Sequence, residues 1–285
     1  MCGTAVYEGY LYCEKCGHTL GAPTCASCGA AAVDAEGYCE RCGLRQPTGR
    51  DHAETVLDDG PAAAVTDKGL RRSRNEDAVA LLSLGRTVVG VVCDGVGSSP
   101  RADEASSVAV EAAGAALIRG LPHEEAFELA GRAVSKLATS VHDAPACTYL
   151  AAVVRDGRAS LAWAGDTRAY WLPAPPPTAA TPIVPELLTT DDAIETGEIT
   201  AWLGADAEDV PLHVRDFAPA APGLLLLCSD GLWRYLDGCT LPGPGGPEQT
   251  GEPLELAREL LRHALDSGGQ DNITIALIPL GDARE

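Results

Sequence analysis

Thr87-Val88-Val89-Gly90-Val91-Val92-Cys93-Asp94-Gly95 decides how this chain is read. The run before the aspartate is apolar and does not alternate, which describes a buried strand, so Asp94-Gly95 falls where that strand meets a loop. Three more apolar runs stand in the same relation to an aspartate: 159–164 leads to Asp166, 224–228 leads to Asp230, and Asp271-Asn272 opens 273–280. A fifth acidic signature lies upstream, Arg72 followed by Asn75-Glu76-Asp77. Any one Asp-Gly is an ordinary turn, because Asp bonds its own backbone and Gly accepts positive φ. Five signatures in this order, four of them against apolar runs, are hard to obtain from turn preference alone. They describe carboxylates gathered at one rim of a sheet, a cage of hard oxygen donors that suits Mg2+ or Mn2+ rather than zinc.

From residue 63 to residue 280 the chain resembles the metal-dependent serine/threonine protein phosphatases of the type-2C (PPM) family, in which these signatures recur in the same order. Thr66-Asp67-Lys68-Gly69, Ala146-Cys147-Thr148 and Leu188-Thr189-Thr190-Asp191 extend the likeness. The resemblance implies hydrolysis of phosphoserine or phosphothreonine in proteins by a water activated between two Mn2+ or Mg2+ ions, with a third, weaker ion in bacterial members. Carried over residue by residue, it implies that Asp94 bridges the two ions, that the Gly95 carbonyl ligates one, and that Asp230 and Asp271 hold the other. Glu76 and Asp77 ligate directly or through water, and Asp166 helps to hold the third ion. Arg72 grips the phosphate with its planar fork, so Arg72 and Asp94 are the candidate catalytic residues. No side-chain nucleophile is needed. The implied partner is a phosphoprotein, either the target of a serine/threonine kinase or the kinase itself, and the protein is expected to act as a monomer.

Three departures bear on specificity. The family commonly has Asp-Gly-x-Gly-Gly where this chain has Asp94-Gly95-Val96-Gly97-Ser98, and Asp-His where it has Asp191-Asp192. The flap is nearly gone, since only residues 193–198 separate Asp192 from Ile199-Thr200-Ala201-Trp202-Leu203-Gly204. A pseudophosphatase or phosphoprotein-binding adaptor is therefore the alternative reading, against which the retention of Asp94, Asp230 and Asp271 together favours turnover.

Eleven cysteines divide into two groups. Cys93, Cys147, Cys228 and Cys239 are scattered through the phosphatase-like region and read as inert thiols, the first three buried. The remaining seven crowd the first 42 residues. Cys13/Cys16, Cys25/Cys28 and Cys39/Cys42 are CxxC pairs of zinc-knuckle spacing. A disulfide or redox role is the competing reading, but nothing in the chain suggests export. The segment resembles the zinc ribbons attached to many bacterial signalling proteins. It also repeats with an offset of 26 residues: Tyr12-Cys13-Glu14-Lys15-Cys16 is echoed by Tyr38-Cys39-Glu40-Arg41-Cys42, and Cys2-Gly3 by Cys28-Gly29. One complete zinc site, Cys25, Cys28, Cys39 and Cys42, is thus expected beside a site one ligand short, Cys2, Cys13 and Cys16. Either His18 substitutes there, or translation starts upstream of Met1.

With 285 residues and 46% hydrophobic content, the chain can bury one large core and still carry an extra module. A formal charge of −20 argues against nucleic acid and anionic membranes, which require basic patches. No run reaches membrane-span length and the start lacks signal-peptide character, so the expected location is the cytoplasm. Lysine is confined to Lys15, Lys68 and Lys136, a bias that suggests a high-GC bacterial genome. The expected organisation is a tandem zinc-ribbon module over 1–45, a linker over 46–61 and a phosphatase domain over 62–281. Within it, 173–185 reads as a proline-rich loop with partner binding as the competing role, and 241–253 as a Gly/Pro-rich insertion. Helices are expected over 103–119, 124–142 and 254–267, where apolar residues recur at three- and four-residue spacing. Strands separated only by turns make the sheets mainly antiparallel. The expected class is α+β, and the resemblance implies a four-layer α/β/β/α sandwich preceded by the small zinc module. Trp163, Trp171, Trp202 and Trp233 read as core or rim residues, and His123, His142, His213 and His263 show no ligand spacing.

Overall fold

The computed structural model of the chain describes residues 13, 15–16, 23–34, 37–58, 60–140, 143–174, 184–207, 209–236 and 252–281. It divides into two compact units, Met1–Gly49 and Arg50–Glu285. The second carries, in chain order, β1 (His52–Val56), β2 (Ala63–Asp67), β3 (Ala78–Leu84), β4 (Thr87–Cys93), α1 (Ala102–Leu117), α2 (His123–Ser135), β5 (Ala146–Cys147), β6 (Tyr149–Arg155), β7 (Arg158–Ala164) and β8 (Arg168–Pro173). Then follow β9 (Glu186–Leu187), β10 (Leu203–Gly204), β11 (His213–Phe217), β12 (Gly223–Cys228), α3 (Asp230–Trp233), α4 (Pro253–Asp266) and β13 (Ile273–Leu280).

Every strand pairing is antiparallel. One sheet has the order β1-β2-β13-β12-β8-β9, the other β11-β7-β6-β4-β3, and β10 pairs with β5 in a two-stranded ribbon. The absence of alternation in the apolar runs has a direct cause: both faces of the central strands are covered. Along β12, Leu225 and Leu227 enter the core between the two sheets with Trp163, Trp171 and Ile278, while Leu226 and Cys228 enter the core under α4 with Leu256 and Leu260. Along β4, Val92 joins the inter-sheet core, whereas Val89, Val91 and Cys93 pack under Ala105 and Ala109 of α1 and Ala126 and Ala130 of α2. The layers are therefore α1–α2, five-stranded sheet, six-stranded sheet, α3–α4. This is the α+β sandwich of two antiparallel sheets that was expected.

Three local expectations need correction. Residues 46–61 are not all linker: β1 lies within them and adds an edge strand to β2, with Arg258 of α4 holding Glu54 at 2.6 Å. A five-residue edge strand that exposes His52 and Glu54 offers no apolar stripe to read. Helix α2 stops at Ser135 rather than running to His142. There Arg101 Nη2 donates to the Leu137 carbonyl at 2.7 Å and to Asp143 Oδ2 at 2.8 Å, and the Thr139 N–H donates to the same carboxylate, so the freed end is pinned to another turn. Residues 141–142 lie outside the described residues, as do 175–183 of the proline-rich segment and 237–251, which include Cys239 and most of the expected insertion. The four-residue helix α3 was not expected at all. Among the described residues no helix is long and apolar enough to cross a membrane.

Candidate active site

Strand register brings the acidic signatures to one end of each sheet. Ala78 pairs with Cys93, so Glu76-Asp77, entering β3, stand beside Asp94, leaving β4. In the other sheet Cys228 pairs with both Ile275 and Arg168, which sets Asp230, Asp271 and Asp166 around one edge. Asp94 in turn feels the charges of Asp77, Asp230, Asp166 and Asp271, so the two sheets contribute to a single cluster.

The loops that carry these residues are tied by side-chain amides and hydroxyls. Asn272 accepts the Glu76 N–H through Oδ1 at 2.8 Å, and its Nδ2 donates to the Lys68 and Arg74 carbonyls at 2.9 Å each. Asn75 Nδ2 donates to Thr66 Oγ1 at 2.8 Å and to the Arg50 carbonyl at 2.9 Å. Ser229 donates to Asp77 Oδ2 at 2.7 Å, Ser106 donates to the Glu76 carbonyl at 2.6 Å, and the Asp94 N–H donates to Thr148 Oγ1 at 2.9 Å. Two glycines have no substitute here. A Cβ on Gly95 would stand 2.7 Å from the Glu76 carbonyl oxygen, and one on Gly231 would stand 1.9 Å from that of Asn272. Asn75, Ser229 and Asn272 lie inside the quoted signatures, but their anchoring role was not read from them. Arg50 was missed entirely. It donates to the Asp103 carbonyl at 3.0 Å, contacts Ser107 and reaches the Asp77 carbonyl, bracing the start of α1 against the acidic loop.

Three members of the cluster are buried, while Glu76, Asp94 and Asp271 are half-buried. Asp77, Asp166 and Asp230 are 2%, 7% and 8% exposed. Burial, with mutual repulsion behind it, pushes Asp77 up to about 7 and holds Asp94 well above the usual carboxylate range. Asp166 is pushed up to about 7 by burial and by Asp230, and burial raises Glu76 and Asp230 as well. Asp77 Oδ1 and Asp230 Oδ1 are buried with no hydrogen-bond partner. Two arginines reach in from the rim, Arg72 to Asp271 at 2.5 Å and Arg234 to Asp230 at 2.7 Å. Buried, unpartnered carboxylate oxygens are costly unless a cation neutralises them, and the all-oxygen donor set fits Mg2+ or Mn2+.

At the rim lie Asp192 and the short segment 193–198, two of the departures noted in the sequence. Asp192 accepts from the Gly165 N–H at 3.0 Å and pairs with His213 at 2.7 Å, while the His213 ring stacks on Trp163 at 5.1 Å. Asp191 takes three hydrogen bonds from Arg168, whose guanidinium lies 3.6 Å over Trp233. The short flap is a tight turn closed by the Ala193–Ile199 bridge and by the Ile194 N–H donating to the Glu198 carbonyl at 3.0 Å.

In the first unit the sulfurs of Cys25, Cys28, Cys39 and Cys42 all lie within 4.8 Å of one another, Cys25–Cys42 at 3.7 Å and Cys28–Cys39 at 3.6 Å. A tetrahedral zinc with bonds of ~2.3 Å requires sulfurs about 3.8 Å apart, so the four thiols match its geometry. The N–H groups of Cys28 and Ser27 each reach the Cys25 sulfur at 3.4 Å and, with Gln46, bring its thiol down to about 6. Cys42 is pushed up to about 11, its bond from the Leu44 backbone outweighed by burial and by the neighbouring sulfurs. Of the incomplete site, Cys13 is buried and Cys16 exposed; Cys2 and His18 lie outside the described residues.

A family model described as Protein phosphatase 2C matches residues 70–238. No curated protein matches the chain in sequence. Among solved structures, the serine/threonine phosphatase of S. agalactiae aligns with a TM-score of 0.62 at 19% identity, covering 81% of this chain and 100% of that one. The phosphatase PstP/Ppp of Mycobacterium tuberculosis aligns with a TM-score of 0.54 at 25% identity, covering 78% and 98%. A PstP catalytic domain in complex with two manganese ions gives 0.55 at 26%, covering 78% and 98%.

Proposed function

Because the chain belongs to the protein phosphatase 2C family, we propose that it hydrolyses phosphoserine and phosphothreonine in proteins at a centre that takes two divalent cations. The observation that carries this reading is the set of buried carboxylates, two with unpartnered inward oxygens, supported by a relative solved with two manganese ions. Asp94 and the Gly95 carbonyl, with Asp230 and Asp271, are the proposed principal ligands, and Glu76 and Asp77 serve directly or through water. Asp166 is the proposed ligand of a third ion. When bound, the cations supply Lewis acidity toward the phosphoryl group and lower the pKa of a water. The chain's residues supply the rest. Asn272 and Ser229 hold the ligand loops at fixed spacing, Thr148 fixes the backbone at Asp94, and Arg72 turns its fork toward phosphate oxygens. Cys25, Cys28, Cys39 and Cys42 hold a structural zinc. The reading extends to a cytoplasmic enzyme whose substrate is a kinase target or the kinase.

Hydrolysis of p-nitrophenyl phosphate and of a phosphothreonine peptide, with and without added Mn2+, tests it. Asp94→Asn is expected to lower kcat roughly thousandfold, several kcal/mol of transition-state stabilisation, while Arg72→Ala mainly raises KM. Near-normal turnover by the Asp94 variant would rule out the two-ion centre.

A further inference from the structure

Arg234 repeats, on a second candidate metal ligand, what Arg72 does on the first. Arg72 Nη2 is held by Asp271 Oδ2, and Arg234 Nη2 by Asp230 Oδ2, one turn back along α3. In Asp230 the two oxygens divide the work: Oδ2 points out to the guanidinium, while Oδ1 is buried without a partner. Coordination through Oδ1 therefore leaves the arginine bond intact. Arg234 is fixed at one nitrogen and lies beside the Trp233 ring, 5.5 Å from its centroid, yet 56% of its side chain is exposed. A guanidinium has five N–H donors, so most of those on Arg234 remain for a ligand. Arg234 lines a cavity of about 330 Å³ together with Trp233, the carboxylates Asp166 and Asp191, and Ala193, Ile194 and Gly197 of the short flap. The second arginine in that wall, Arg168, is occupied by Asp191.

We propose that Arg234 is a specificity-determining residue that binds a second anionic group on the substrate, next to the phosphorylated residue whose phosphate Arg72 takes. The preferred substrates are then phosphopeptides carrying a neighbouring carboxylate or a second phosphate, both of which match a planar guanidinium fork. In a chain of formal charge −20, a fixed cation beside the reaction centre is a local feature that an acidic segment needs and a neutral one does not. This inference rests on the phosphatase reading above.

The test compares three phosphothreonine peptides, with alanine, glutamate or phosphoserine beside the phosphothreonine, in the Mn2+-loaded full chain. The wild type is expected to favour the two anionic peptides by about tenfold in kcat/KM, the worth of one charge-assisted hydrogen bond. Arg234→Ala should bring the ratios to within about twofold, Arg234→Glu should invert them, and Arg234→Lys should keep part of the preference. The relative ranks of the glutamate and phosphoserine peptides identify which anion is read. Equal rates on all three peptides by a wild type that hydrolyses p-nitrophenyl phosphate, or a preference that survives Arg234→Ala, would overturn the inference and leave the phosphatase reading intact. Should p-nitrophenyl phosphate not be cleaved, the phosphatase reading fails instead. Calorimetric binding of non-hydrolysable phosphonate versions of the peptides then tests Arg234 alone, with loss of the anionic preference in Arg234→Ala expected and an unchanged preference refuting it.

Discussion

Single residues set the electrostatic tension of this protein. Asp77 and Asp166 keep their protons up to about pH 7 in the folded chain, because burial disfavours their anions, whereas in the unfolded chain they ionise near 3.8. The folded state thus binds more protons between those values, and stability falls as pH rises: the contribution is full below about 4 and is lost as pH passes through 7. Protein treated with a chelator is expected to melt on the order of 5 °C higher at pH 5 than at pH 8, and Mg2+ should raise the pH 8 value more than the pH 5 value. Scanning calorimetry decides it; a chelated protein more stable at pH 8 would mean that these carboxyls are not desolvated as described. At this scale the sequence was readable wherever a carboxylate ends an apolar run, as Asp94, Asp166 and Asp230 do. It was not readable for Arg50, whose guanidinium reaches a hydroxyl more than fifty residues away and backbone carbonyls that carry no signature. Arg234 did leave a signal, its four-residue spacing from Asp230, but that spacing acquires meaning only once α3 is known to be helical.

Elements were legible in proportion to their apolar content. Both faces of β4, β12 and β13 are covered, and their runs announced them. The edge strand β1 buries almost nothing and so reads as linker in sequence, although it forms five registered pairs with β2. The consequence can be measured on two shortened chains. One beginning at Arg50 keeps β1 and the Arg50 brace, and is expected to retain p-nitrophenyl phosphate hydrolysis and the melting temperature of the catalytic unit. One beginning at Ala62 loses both, exposes the edge of β2, and should melt roughly 5–10 °C lower, the effect of a few kcal/mol in a domain of this size. Equal melting temperatures would show that β1 is dispensable. The early end of α2 teaches a related lesson: its apolar spacing continues past Ser135, but hydrogen bonds from Arg101 and Thr139 to Asp143 favour a turn.

For the whole molecule, cysteine spacing was the most legible feature of the first unit, because two CxxC knuckles fix four sulfurs at one point without help from a core. Among the described residues of the first unit the buried apolar cluster holds only Cys25, Val33 and Cys39, with Ala30 and Ala32 beside them, so a bound metal is expected to contribute most of the folding energy. Zinc analysis of the full chain under reducing conditions should find at least one tightly held ion, and Cys39→Ser should lower the content by one per chain. No zinc in the wild type would refute the ribbon. What spacing did not show is the order of sheets in the second unit, since β2 and β13 are neighbours separated by some two hundred residues and only packing brings them together.

The stacking at Trp233 has an optical consequence. Trp163 and Trp171 are sealed in the core, whereas the Trp233 indole has the Arg168 guanidinium on its ring, the Arg234 guanidinium close by, and its N–H bonded to the Asp166 carbonyl at 2.9 Å. Indole emission responds to nearby charge, and paramagnetic Mn2+ quenches what diamagnetic Mg2+ leaves bright. On the two-ion reading proposed above, Trp233 emission is expected to change when cations bind among the aspartates, and to dim more with Mn2+ than with Mg2+.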